Sequence, residues 1–412
     1  MPEQDTAQIA QRRYRLLLIA THPVQYASPV FREMARHPRL DIEVAYCSMQ
    51  GAETGVDKDF GVEVKWDVPL LDGYSWKQIP NRARRPSLDR FFGLTNTGVW
   101  RMIRKGKYDA VVMYTGYRIA SFWIALAAAK LSGTKVIFGT DASSIQLREG
   151  SSLKLWFKPR ILSFVFHRAD RVFGASVAGK EYLESLGIRP ERIGIVPLVV
   201  DNDWWLARSK TVDRAAERAN WGIPMDAPVV MFCAKLQPWK RPLDLLRAFA
   251  SANVSGSHLV FAGDGTLANE LKQEAAQLGM SDRVHFLGFQ NQSQLPVAYS
   301  SADLFVLPSK YDPCPAVVCE AMLCGLPVVI SDEIRGRREQ IDEGKTGYIF
   351  PCGDVDALSD ILRRALADPS RLKEMGQAAR RKMDSFSPAT NVQAFVELLD
   401  ATLADRSNSS PR

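Results

Sequence analysis

Two short stretches in the second half of the chain gather side chains suited to a charged, hydroxylated ligand. In the first, which runs from Ala302 to Ile330, a strand over Asp303 to Leu307 ends in Pro308 and Ser309. Tyr311, Asp312, Pro313, Cys314 and Pro315 then lead into a helix that carries Glu320 and stops at Gly325, with Pro315 suited to the first helical position. A helix N-terminus at the mouth of a parallel sheet points free N–H groups outward, which favours a phosphate or a sugar hydroxyl. Asp312 and Glu320 bracket that opening, and each can accept hydrogen bonds from the hydroxyls of a sugar and a ribose. A surface aspartate with a capping interaction is the other reading of the same spacing.

The second stretch runs from Cys233 to Arg241 and includes Ala234, Lys235, Leu236, Gln237, Pro238, Trp239 and Lys240, with a helix expected from Pro242. Lys235 and Lys240 leave one loop. Both ammonium groups can meet one diphosphate and stabilise the charge that grows on it as a glycosidic bond breaks. A solvated charged turn would carry the same residues.

The elements that must hold these stretches follow a βαβ rhythm. Short β-branched runs at Leu16 to Ala20, Ile42 to Cys47, Ala110 to Met113, Val136 to Phe138, Arg171 to Phe173 and Ile193 to Val196 are separated by longer helical stretches. A second series follows at Val229 to Cys233, Leu259 to Ala262, Val284 to Leu287, Leu304 to Leu307, Val328 to Ile330 and Tyr348 to Phe350. The fold class expected is α/β, with two Rossmann-like doubly wound parallel sheets. The ligand is expected in a cleft between the domains, at the carboxyl ends of the strands.

The Trp-, Arg- and Asp-rich segment Pro197 to Ala227, with Trp204, Trp205 and Trp221, marks the boundary. The domains predicted are 1–205, 206–385, and 386–412 as a closing helix with a loose tail. In that helix Val392, Phe395, Leu398 and Leu399 lie at helical spacing after Ser387 and Pro388.

Composition sets the outer limits. A chain of 412 residues exceeds what one core usually organises, so two domains are the natural expectation. With 46% hydrophobic and 24% charged residues, extensive disorder is excluded, and only the first dozen residues and Arg406 to Arg412 read as frayed tails. Leu16 to Ala20 is too short for a signal-peptide core, and Ala120 to Ala129 is about half of a spanning helix. Six cysteines with no two-residue spacing suit neither a disulfide framework nor a zinc site, so a reducing cytoplasm is expected. The net charge is +10 over residues 1–200 and −3 over residues 201–412, which places the basic excess in the first half. No nucleic-acid signature accompanies it.

Together the two stretches resemble glycosyltransferase family 4, whose members are retaining, metal-independent enzymes of GT-B architecture. The family pattern is a Gly-Arg-Leu turn ending in Lys, two glutamates at the separation of Asp312 and Glu320, and then Ala-Met-Ala-Cys-Gly-x-Pro-Val-Val. Here it reads Ala-Lys-Leu-Gln-Pro-Trp-Lys, Asp312 to Glu320, and Ala321, Met322, Leu323, Cys324, Gly325, Leu326, Pro327, Val328 and Val329. Phe261 to Gly265, with Leu287, Gly288 and Phe289, match further positions.

The resemblance implies Lys235 and Lys240 on the donor phosphates, Asp312 on the donor sugar and Glu320 on the ribose. Gly263, Gly265, Gly288, Phe289, Cys314 and Ala316 complete the implied donor site, with the backbone at Gly288 and Phe289 meeting the base. It also implies a nucleotide diphosphate sugar as donor substrate, no cofactor and no metal. Three positions depart from the family: Asp312 replaces a glutamate, Lys235 an arginine, and Pro315 a glycine, the last removing a backbone donor.

In the first domain Thr21, His22, Pro23, Val24, Gln25 and Tyr26 stand where many members have a Gly-rich loop, and related envelope transferases show a similar opening. His22 is a candidate for donor or acceptor, or for a structural role. Asp141 follows Gly139 and Thr140 where members often have a His-Asp pair, and it is a candidate for a sugar hydroxyl, the acceptor or a helix cap. The Asp-x-Asp sequences Asp201 with Asp203 and Asp354 with Asp356 are not read as metal sites, the second because an Asp before Ala357 and Leu358 caps a helix.

The leading expectation is transfer to a glycan or lipid-linked acceptor in bacterial surface polysaccharide synthesis, in the cytoplasm and peripherally at the inner face of the membrane. A sugar-nucleotide epimerase and a non-catalytic sugar-nucleotide-binding subunit are the alternatives. A dehydrogenase is disfavoured, because no Gly-x-Gly-x-x-Gly follows the first strand. An anionic membrane surface is the further partner expected, from the basic residues interleaved with Trp76, Phe91, Phe92, Trp100 and Tyr108 and from Lys154, Trp156, Phe157, Lys158 and Arg160.

Overall fold

The structure, a computed structural model, describes residues 13–57, 62–144 and 152–404, without the side chains of 56, 57 and 152–157. The two tails, and the side chains of Lys154, Trp156 and Phe157, lie outside the described residues. The strands of the first half are β1 (Tyr14–Ala20), β2 (Leu40–Tyr46), β3 (Gly55–Asp57), β4 (Val62–Val64), β5 (Trp76–Gln78), β6 (Ala110–Tyr114), β7 (Lys135–Thr140), β8 (Arg171–Gly174) and β9 (Ile193–Ile195). Those of the second half are β10 (Val229–Cys233), β11 (His258–Ala262), β12 (Val284–Gly288), β13 (Leu304–Leu307), β14 (Val328–Ser331) and β15 (Gly347–Phe350).

One sheet has the order β5-β2-β1-β6-β7-β8-β9 and the other β12-β11-β10-β13-β14-β15, with parallel pairing throughout both. These are the two doubly wound sheets expected from the sequence. Their strands read as continuous apolar runs because helices cover both faces, so that β10 and β11 are buried at every position. In each sheet the strand order reverses once, between β1 and β6 and between β10 and β13, and each reversal opens a crevice at the carboxyl ends.

The apolar stretch Ala120 to Ala129 lies in the helix Ala120–Leu131, whose Phe122, Ala125, Ala128 and Ala129 are buried in the first core. Among the described residues no helix is long and apolar enough to cross a membrane.

Two compact units emerge, and their limits differ from those read off the sequence. The first holds residues up to Thr54, Pro69–Leu198 and the chain from Pro388, and the second holds Gly55–Val68 and Val199–Ser387. The boundary falls at Leu198 rather than after Trp205 because the tryptophan-rich segment folds into the helices Asn202–Ser209 and Arg214–Asn220, which bury Trp205 in the second core. The antiparallel pair of β3 and β4 also counts with the second unit, although it interrupts first-unit sequence.

The closing helix, Pro388–Ala404, returns to the first unit. Phe395 meets Phe173 edge-on at 6.3 Å, and Arg39 forks onto Asp400 at 2.5 and 2.9 Å. Gly194 on β9 lies so close that a Cβ there would come within 3.0 Å of Leu398.

Candidate functional site

In the second unit the loops that follow β10 and β13 flank the reversal of strand order. A buried polar anchor sets the register of these two strands at their amino ends. The Asp303 carboxylate accepts from Arg218 at 2.7 Å, from the Val229 amide at 2.8 Å and from Arg214. Arg218, only 1% exposed, also donates to the carbonyls of Met225, Ala227 and Ser301 at 2.6, 2.8 and 2.9 Å. A buried guanidinium satisfied on every side is rigid, so β10 and β13 present their carboxyl ends at a fixed offset.

At those ends the Lys240 ammonium pairs with the Asp312 carboxylate. Lys240 closes the short 3₁₀ turn Pro238–Lys240, and Arg241 passes through the left-handed region at φ 52° before the helix starts at Pro242 as expected. The Lys310 amide donates to the Trp239 carbonyl at 2.8 Å, tying the two loops together by their backbones as well. Asp312 is 8% exposed, and the helix after it has no side-chain cap, so it is neither a surface aspartate nor a capping residue. Lys235 is half-buried, as Lys240 is, so the loop is not a solvated charged turn.

The helix that follows Asp312 spans Ala316–Leu323. Pro315 is its N-cap rather than its first residue, since its ψ of 117° is extended, and Ala316 therefore offers the first amide. Glu320, 4% exposed, accepts a hydrogen bond from the Tyr299 hydroxyl at 3.1 Å and one from Gln292. Burial lifts it from the ordinary carboxylate range to about 7, against the opposing pull of those two donors. Trp205 supports Tyr299 edge-on at 5.8 Å.

The buried Cys233 thiol lies in the field of both groups: burial above all, then the Glu320 charge, push it up to about 12, while the Tyr299 hydrogen bond and Lys240 oppose. Cys314, 8% exposed, has its sulfur 3.7 Å from the Gln340 amide nitrogen, which also reaches Cys319 at 3.3 Å.

The glycines of the site have backbone reasons of their own. Gly263 has φ +136°, and a Cβ there would lie 2.1 Å from the Ala234 carbonyl oxygen; at Gly265, φ +154°, it would lie 2.6 Å from that of Leu236. The Lys235 loop thus runs directly over both glycines. The Gly263 amide donates to the Gly288 carbonyl at 2.8 Å, and Gly288, φ +68°, turns the chain into Phe289. Phe289 is met by Trp66 from the segment Gly55–Val68, at 6.3 Å between ring centroids. Sequence reasoning missed Trp66, Gln292 and Tyr299, and no spacing or motif marks them.

His22 and Asp141 belong to the first unit. His22 follows β1 half-buried at the crevice between β1 and β6, where Thr21 and Thr115 share a hydroxyl hydrogen bond of 3.0 Å. Asp141 follows β7 and is exposed, with no helix in the three described residues after it, which removes the helix-cap reading. The phenol of Tyr26 is raised to about 12 by loss of water around its hydroxyl and then by the charge on Asp141.

Asp354 caps its helix through the Ala357 amide, as expected, and Asp201 caps another through the Trp204 amide. Among the described residues no group of three or more His, Cys, Asp or Glu is arranged to hold a metal ion.

Residues 213–382 match the family described as glycosyl transferases group 1, and residues 23–198 match the glycosyl transferase 4-like domain. A D-inositol 3-phosphate glycosyltransferase of Nocardia farcinica is 31% identical over 249 residues, 58% of this chain and 54% of that protein. The enzyme of the same name from Mycobacterium tuberculosis is 33% identical over 242 residues, 56% of this chain and 48% of that one. The chain thus spans about half the length of the curated relatives it matches.

Among solved structures, HepE of Anabaena in complex with UDP and glucose superposes with a TM-score of 0.73 at 20% identity, covering 94% of this chain and 100% of that one. A glycosyltransferase of Rickettsia africae gives 0.71 at 16% identity, covering 95% and 99%. These likenesses establish the fold. With two Rossmann-like units, each matched along most of its length, the chain belongs to the GT-B glycosyltransferases of family 4.

Proposed function

We propose that the protein transfers a sugar, with retention of anomeric configuration, from a nucleoside diphosphate donor to a glycan or lipid-linked acceptor in bacterial surface polysaccharide synthesis. The observation that carries this reading is the Lys240–Asp312 pair at the strand-order reversal of the second unit, with Glu320 buried one turn into the adjoining helix. A cation and a helix N-terminus can take up the charge that develops on a departing diphosphate. Asp312 then faces the hydroxyls of the sugar, and Glu320 those of the ribose. With lysines and amides meeting the diphosphate, no metal or cofactor is required. HepE is described with UDP and glucose, which makes a UDP-sugar the first donor to test.

The acceptor side falls to the first unit, where His22 and Asp141 follow β1 and β7. The loop from Asn81 to Phe92 exposes Phe91 at 45% and Phe92 at 73% beside the exposed Arg82, Arg84, Arg85 and Arg90. That mixture supports reversible work at an anionic membrane on the cytoplasmic side. Trp100 and Tyr108 face the core instead and contribute nothing to such a surface.

The test is a thermal-shift series with UDP-, GDP- and dTDP-sugars. One base should stabilise the protein well above the others, because a ligand bound by the native state alone raises its stability. A protein that no nucleotide sugar stabilises would contradict the reading.

A further inference from the structure

Lys65, Trp66 and Asp67 clasp one loop of the second unit. Trp66 lies against the ring of Phe289. The Asp67 carboxylate accepts from the Ser293 amide at 3.1 Å and from the Ser293 hydroxyl. Two further bonds cross the same junction: the Asp67 amide donates to the Asn291 side-chain oxygen at 3.3 Å, and the Asn291 side-chain nitrogen donates to the Lys65 carbonyl at 2.7 Å. The clasped residues, Gln290 to Gln294, read Gln-Asn-Gln-Ser-Gln and hold no apolar anchor of their own, so polar contacts must order them. Between the clasped Asn291 and Ser293 lies Gln292, itself 5% exposed and hydrogen-bonded to the Glu320 carboxylate.

We infer that Trp66 and Asp67 are positioning residues for the nucleoside end of the donor site: they fix the loop Phe289–Ser293, and through Phe289 and Gln292 they set the shape offered to the base and the orientation of Glu320 toward the ribose. The inference rests on the reading of Phe289 and Glu320 as donor contacts. A carboxylate that holds an amide and a hydroxyl of one residue makes two charge-assisted bonds, which fix geometry better than neutral ones. The aromatic pair adds a second, apolar restraint on the same loop. Neither side chain touches the ligand in this account, so their loss weakens donor binding while the transfer step keeps its rate.

Titration calorimetry with UDP, GDP and dTDP on the full chain tests this, beside steady-state transfer kinetics. For the nucleotide bound best by the unaltered protein, Asp67→Ala and Trp66→Ala should each raise Kd about tenfold, which corresponds to about 1.4 kcal/mol of lost ordering. The donor KM should rise in parallel with kcat held within about twofold, and Trp66→Phe should recover most of the affinity. The pair Asp67→Ala and Ser293→Ala should combine to less than the product of their separate effects, because they share one interaction.

If Asp67→Ala fails to fold, Ser293→Ala carries the test alone, and an unchanged Kd there overturns the proposal. Unchanged Kd in Trp66→Ala and Asp67→Ala, in a chain that does bind a nucleotide, also overturns it. A chain that binds none of the three nucleotides overturns the donor-site reading itself, which is a different result.

Discussion

The ammonium of Lys240 is ion-paired with the carboxylate of Asp312, and their side chains are 16% and 11% exposed. The pair joins the loops after β10 and β13, the two strands between which the sheet order reverses. The acid thus fixes the cation at the mouth of the crevice, and on the proposed function a diphosphate would meet a charge that is already placed.

This arrangement predicts an asymmetry in stability. Lys240→Ala leaves a largely buried carboxylate without its cation and should cost about 1–3 kcal/mol in urea unfolding at neutral pH. The double change Lys240→Met with Asp312→Asn removes both charges and should recover most of that loss. A double variant less stable than the single one would mean that the pair is not the local source of stability.

Glu320 predicts a trade between stability and activity. Its pKa, raised from 4.5 to about 7 by burial, means that the folded state holds the proton more tightly than the unfolded chain. The associated stability is fully present below the unfolded value of 4.5 and is lost as pH rises through about 7. Glu320→Gln should therefore melt higher than the unaltered protein at pH 8, by up to about 3 kcal/mol, and the gain should vanish near pH 4.5. Equal melting curves at both pH values would contradict the raised pKa.

Much of this was legible in the sequence. The βαβ strand runs needed only β-branched apolar residues between helical stretches, and Gly325 and Pro242 announced a helix end and a helix start. The edge strand Trp76–Gln78 was not legible because all three residues are exposed and carry no apolar run. Nor was the placing of Gly55–Val68 with the second unit, since Trp66 and Asp67 reach Phe289 and Ser293 across more than two hundred residues. Spacing and resemblance single out Asp312 and Glu320 as candidates, and the structure buries both. Tyr299, which donates to Glu320, sits in an ordinary apolar helix and gave no signal.

Transfer should persist in EDTA, because the proposed function has lysines and the amides at the start of the helix Ala316–Leu323 take up the charge of the diphosphate. Assays with and without the chelator, at equal donor concentration, should differ by less than about twofold. Strict dependence on added magnesium or manganese would contradict this account of the leaving group.

The exposed Phe91 and Phe92, flanked by arginines, predict salt-sensitive binding to anionic vesicles. Each basic side chain near such a surface contributes about 1 kcal/mol, and screening shortens that reach at high salt. In sedimentation with phosphatidylserine vesicles, Phe91→Ser with Phe92→Ser should lower the bound fraction, and high salt should release the unaltered protein. No binding at low salt would reject the membrane reading, and salt-insensitive binding would reject its electrostatic basis.

The proposed function requires the second unit to carry the donor, with Lys240 and Glu320 facing it. A single assay follows nucleoside diphosphate release and sugar incorporation together, using the best-bound nucleotide sugar with extracted envelope lipid as acceptor. One sugar should be incorporated per nucleoside diphosphate released, with Lys240→Ala and Glu320→Gln each slower by about tenfold or more while still folded. Unchanged rates in both variants would contradict it, as would diphosphate release or sugar conversion that needs no acceptor.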